Sequence, residues 1–92
     1  MTKREELALV AEEHEWDLVF YEPAEVFDAA IVGVVHGFGQ EPAVLYDQEK
    51  VLEGLRRQFD GDWEAATEWF DFNTVGAFVG DATPRFLVRR VG

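Results

Sequence analysis

Ninety-two residues carry 8 Lys and Arg against 19 Asp and Glu, a formal net charge of -11, with two His and no Cys. Lack of Cys excludes disulfides, zinc–cysteine sites and thiol catalysis, and the acidity argues against direct contact with DNA or RNA, whose phosphates the chain would repel. A hydrophobic share of 48% and an aromatic share of 14% are too high for a disordered acidic tail, and the length suits a single domain, residues 1–92.

In chain order, Leu7, Val10, Ala11 and His14 fall at helical spacing and predict a helix over 3–15, with Thr2 as N-cap and Glu5 and Glu6 in its first turn. Trp16 to Tyr21 is aromatic and β-branched and predicts a strand ended by Pro23. Residues 24–28 are ambiguous, compatible with a turn of helix. The apolar run of residues 29–36 predicts a central strand covered on both faces. Gly37 to Pro42 is a turn by composition, and a short neighbouring strand follows over 43–46. Asp47 is a good N-cap for a helix over 47–59, whose apolar face is Val51, Leu52, Leu55 and Phe59. Gly61 stops it and Asp62 caps a further helix over 62–73, with Asn73 expected as a left-handed C-cap. Strands at 76–79 and 85–90 are expected to form a hairpin around Gly80 to Pro84. The fold class that follows is α+β, a small, mostly antiparallel sheet packed against three helices.

The start of the chain is basic at Lys3 and Arg4, but Glu5 and Glu6 follow and no apolar segment succeeds them, unlike a secretory signal. The longest apolar run is far short of the ~20 residues of a membrane helix. A cytoplasmic protein without membrane contact is expected.

Chemistry-bearing motifs are sparse. Gly37-Phe38-Gly39 follows a strand, but the third glycine of a dinucleotide fingerprint would fall at Pro42 and a strand follows in place of a helix. Glu12-Glu13-His14-Glu15 offers one His where a zincin needs two, and Asp60-Gly61-Asp62 lacks the spaced oxygens of a calcium loop. His14 and His36 are read as packed or half-buried side chains. The sequence contains no Ser, and with 19 acids carboxylate pairs arise by chance. No catalytic residue, metal or cofactor is expected, and the chain is expected to bind rather than to catalyse.

The acids are unevenly placed. Glu5 to Asp28 holds nine acids and no Lys or Arg, Gln58 to Pro84 holds six and none, and Arg85, Arg89 and Arg90 close the chain without an acid. On the last helix Glu64, Glu68 and Asp71 recur at i, i+4 and i+7, which places them about 6 and 4.5 Å apart along one face, comparable to the spacing of phosphates on a strand. Glu5 and Glu12, and Glu6 and Glu13, repeat at i+7 on the first helix. Such an array suits the basic groove of a nucleic-acid-binding protein, whereas a solvated face that aids solubility is the plainer reading.

Tyr46-Asp47-x-x-Lys50, Asp62-Trp63-Glu64-Ala65-Ala66 and Trp69-Phe70-x-Phe72-Asn73-x-x-Gly76-Ala77-x-Val79-Gly80-x-x-Thr83-Pro84-x-Phe86 together cover about the last half of the chain. This series resembles a group of small acidic phage and bacterial proteins with a Y-D-x-x-K … F-x-F-N-x-x-G-A-x-V-G-x-x-T-P pattern. The resemblance implies a phage or prophage setting and no particular activity. Physically the motif reads as scaffold, with Phe70 and Phe72 on different faces of a helix end; a pocket around Tyr46, Asn73 and Thr83 is the alternative. The functional expectation is an acidic protein-binding module, most concretely a phage-encoded inhibitor of anti-CRISPR or anti-restriction type, with Glu64, Glu68, Asp71, Glu12 and Glu13 meeting a basic host protein. A homo-oligomer joined through Trp63 and Phe72 is the first alternative, and a metal- or nucleotide-dependent enzyme the second.

Overall fold

The computed structural model describes residues 1–75 and 80–89. The strand expected at 76–79, with its hairpin partnership, lies outside the described residues, as does the last residue of the strand expected at 85–90. Helix α1 spans Lys3–His14, α2 Ala24–Phe27, α3 Gln48–Gln58 and α4 Trp63–Phe70; strands β1, β2 and β3 are Ile31–Val35, Ala43–Asp47 and Arg85–Leu87. This is a small α+β fold.

Each longer helix starts where a side chain satisfies the orphan N–H groups of its first turn. Thr2 and Glu5 form a reciprocal capping box on α1. Asp47 accepts from the N–H groups of Glu49 and Lys50 on α3, and Asp62 from Ala65 on α4. α1 ends on Glu15 in the left-handed region (φ 58°), with the Trp16 N–H returning to the Ala11 carbonyl at 2.8 Å. Asp60 (φ 54°) and Gly61 (φ 89°) make the equivalent turn after α3. Asn73 does not play that role: α4 runs on past Phe70 into a π-helical turn, Asp71–Val75, and the Asn73 amide donates to the Trp69 carbonyl at 3.1 Å.

The sheet is mixed, in the order β1-β2-β3. β1 and β2 are antiparallel neighbours, as expected, with Val34 opposite Val44, Val35 opposite Ala43, and a bulge between Ile31 and Gly33. β2 and β3 run parallel, Tyr46 facing Phe86. A parallel pair needs a long crossover, and α3 and α4 provide it. The central strand is therefore β2, not the apolar run at 29–36. β1 is an edge strand with Val32 exposed, and Ala29 and Ala30 belong to a 3-10 turn over Asp28–Ala30.

Residues 16–21 form no strand. Among the described residues their backbone pairs with no ladder, and the Tyr21 N–H donates to the Tyr46 hydroxyl at 2.9 Å. What holds the segment is aromatic packing: Tyr21 lies 5.5 Å from Phe27, 5.9 Å from Tyr46 and 6.0 Å from Phe86. Arg4 fastens α1 to the same region, 4.8 Å above the Phe20 ring and paired to Glu22 (3.0 Å) and Asp28 (3.8 Å).

The core collects Val26, Phe27, Ala30 and Ile31 against Val44 and Tyr46 of β2, Val51 and Leu55 of α3, and Ala66 and Phe70 of α4. Gly54 allows α2 to approach α3 closely, since a Cβ there would stand 3.3 Å from Val26 Cγ1.

Candidate functional site

α4 presents its acids as the spacing predicts. Glu64, Glu68 and Asp71 are exposed, and Asp71 keeps α-helical dihedrals (φ -62°, ψ -41°) at the helix end, so the three stay on one face. The ion pairs of the described residues join Arg4 to Glu22 and Asp28, and Arg89 to Asp47. None reaches the α4 acids, nor Glu12 and Glu13, which are exposed on α1. α1 packs against β1 and the 3-10 turn, whereas α4 packs against α3 and the π turn. The two acidic sets thus stand on elements with different neighbours.

Sequence reasoning missed what adjoins the α4 acids. Glu68 shares the wall of an open groove of about 350 Å³ with Phe59, Ala65, Trp69, Phe72 and Asn73. Phe72 is 87% exposed, two residues after the inward-facing Phe70 and so on the opposite side of the helix end. Trp63 is 48% exposed, and the Arg56 guanidinium lies 4.8 Å over its ring. The sequence marks Phe72 and Trp63 as rings for a subunit interface, but not the place of Phe72 in a groove beside Glu68.

The alternative pocket around Tyr46, Asn73 and Thr83 is not formed as a group. Tyr46 is fully buried with its hydroxyl committed to Tyr21, Asn73 is exposed, and the Thr83 hydroxyl donates to the Gly80 carbonyl. Burial pushes the Tyr46 phenol up to about 12, against the smaller opposing effect of the Tyr21 N–H.

His14 and His36, expected to be packed or half-buried, are exposed, yet each ring has an aromatic contact. Both lie on Trp16, His14 stacked at 4.5 Å and His36 tilted at 5.7 Å. The ring that α1 directs outward finds its partner just beyond the helix end. Among the described residues no group of three His, Asp or Glu side chains is placed to hold a metal, and no helix is long and apolar enough to cross a membrane.

A second cleft, also about 350 Å³, opens between α1, β1 and the start of α3 and includes Lys3, Lys50, Asp47 and Arg89. Asp47 is the buried acid there. Burial would raise its pKa, but the Lys50 N–H, the Arg89 guanidinium and the Glu49 N–H together outweigh this and hold the carboxyl below its ordinary value. The sequence hinted at the cleft only through the acid-free run that contains Arg85 and Arg89.

No protein-family model, curated protein or solved structure matches the chain.

Proposed function

We propose that the chain is a protein-binding module that offers Glu64, Glu68 and Asp71 to a basic, nucleic-acid-binding site on another protein, in place of phosphates. The observation that carries this reading is that three exposed carboxylates share one face of α4 with no cation paired to them among the described residues, while the paired bases lie elsewhere. Like charges one helical turn apart cost folding free energy, a cost that a basic partner would offset on binding. The groove beside Glu68 and the exposed Phe72 add an apolar contact that a purely solubilising face would lack. Glu12 and Glu13 form a second acidic set on α1. The module's most concrete form is a phage-encoded inhibitor of a host restriction or CRISPR system, the acidic array supplying the mode of binding and the sequence resemblance only the phage setting, and it acts by occupancy, without catalysis.

The test is capture from a bacterial lysate at low and high salt with the native chain and with Glu64→Lys/Glu68→Lys/Asp71→Lys. The expected outcome is a basic nucleic-acid-binding protein that is retained at low salt, released at high salt, competed by DNA or RNA and lost with the variant. Retention unchanged by charge reversal would refute the reading.

The exposure of Trp63 and Phe72 favours one other reading, a homo-oligomer joined through these rings. Sedimentation of the native chain and of Phe72→Ala at two concentrations decides it: a concentration-dependent native oligomer that the variant lacks supports it, and a monomer throughout removes it.

A further inference from the structure

We infer that the cleft between α1, β1 and the start of α3 binds a small organic carboxylate with a short apolar body. Lys3, Lys50 and Arg89 are three of the eight basic residues of a chain at -11, and the fold brings them to one cavity of about 350 Å³. Other bases are spent elsewhere: Arg4 on Glu22 and Asp28, Arg56 on the Trp63 ring, and Arg85 on the Gln40 side chain at 3.2 Å.

Within the cleft Asp47 is already satisfied. Its Oδ1 accepts from the Glu49 and Lys50 N–H groups and its Oδ2 from Arg89 Nε at 2.9 Å. The Glu49 and Lys50 N–H groups at the start of α3 are therefore taken by Asp47, and an incoming anion would be held chiefly by side chains. Lys3 donates one hydrogen bond to the Ala29 carbonyl at 3.1 Å and has two donors left. The Lys50 ammonium has neither hydrogen bond nor ion pair among the described residues. Among the described residues that line the cleft, Asp47 is balanced by Arg89 and Glu6 offsets one of the two lysines, which leaves about one unit of positive charge for the ligand.

That balance selects a single negative charge. A polyphosphate or nucleic acid would be repelled by Glu6 and by the field of the whole chain. Leu7, Ile31 and Val32 supply the apolar wall, matching a ligand whose carboxylate reaches the lysines and whose hydrocarbon lies along β1. The site is separate from the acidic face of α4 and stands whether or not that face binds a protein.

Amide-resolved NMR titrations of the full chain test this, with hexanoate, 1-hexanol and inorganic phosphate at matched ionic strength. Hexanoate is expected to give saturable shifts at the Leu7, Gly33 and Lys50 amides. Lys50→Gln, on the exposed side of α3, should leave the spectrum otherwise intact and weaken hexanoate roughly tenfold, the worth of one charge-assisted hydrogen bond. Hexanol should bind more weakly by a similar factor. No saturable shift with hexanoate across the millimolar range, equal binding of hexanol, binding of phosphate as tight as that of hexanoate, or unchanged affinity in Lys50→Gln and Lys3→Gln would each overturn the assignment.

Discussion

Arg89 donates from Nε to Asp47 Oδ2 at 2.9 Å, tying the chain beyond β3 to the junction of β2 and α3. The pairing is lopsided, since the Asp47 side chain is 6% exposed and that of Arg89 57%. The acid therefore does the structural work, capping a helix and standing in the central strand at once.

Asp47→Ala should destabilise the chain by about 1–2 kcal/mol through loss of the cap, whereas Asp47→Asn keeps a capping oxygen and should cost less. The folded pKa of Asp47 is depressed, so its charge contributes stability that is fully present above the unfolded value of about 3.9 and is lost as pH falls through the folded value. The stability gap between native chain and Asp47→Asn should then be constant near neutrality and close below about pH 4. Urea titrations across pH measure it, and a gap that persists in strong acid would contradict the assignment.

Tyr46 carries the second pH signal. Its pKa is raised to about 12, so the stability it contributes is complete below the ordinary tyrosine value of about 10 and is lost as pH rises through the folded value. Tyr46→Phe removes the acceptor for the half-buried Tyr21 N–H, at an expected cost of about 1–3 kcal/mol. Ultraviolet tyrosinate absorbance should show the highest-pH step of the native chain missing from the variant, in which Tyr21 remains the only tyrosine.

Thr74 is buried and its Oγ1 has no hydrogen-bond partner among the described residues. Leaving a hydroxyl dry and unpaired is unfavourable, and valine has nearly its shape. Thr74→Val should raise the thermal midpoint by several degrees, at about 4–8 °C per kcal/mol for a domain of this size. A lowered midpoint would show that the hydroxyl is satisfied in solution.

Helix starts were legible because a cap is a local event: Thr2, Asp47 and Asp62 each bond to an N–H within three residues. The β1–β2 pair was legible for a related reason, two apolar runs joined by a short glycine turn. Residues 16–21 look like a strand by composition, yet nothing local reveals that Tyr21 gives its N–H to a side chain 25 positions away. Length of apolar run also misled, since the shorter run, which becomes the strand Ala43–Asp47, takes the centre by pairing on both edges. The α4 acids were readable from helical spacing, whereas their apolar groove was not, because Phe59 comes from the end of another helix. The cleft of Lys3, Lys50 and Arg89 depends on three distant segments meeting, which no spacing rule anticipates.

The acidic face of α4 should carry a measurable folding cost. Glu68 stands four residues after Glu64 and three before Asp71, and like charges at these spacings oppose each other by about 0.2–0.5 kcal/mol per pair. It also lies in the last turns of a helix with no basic residue at its end, where the dipole favours cations by about 0.3–1 kcal/mol. Glu68→Lys reverses all three terms, and should stabilise the isolated chain by about 1 kcal/mol in low-salt urea denaturation. The gain should shrink with added salt, because exposed charges are screened. In the capture experiment the same substitution should weaken the partner, so stability and binding move in opposite directions. A variant that gained neither stability at low salt nor lost partner would mean that the three carboxylates do not act as one array.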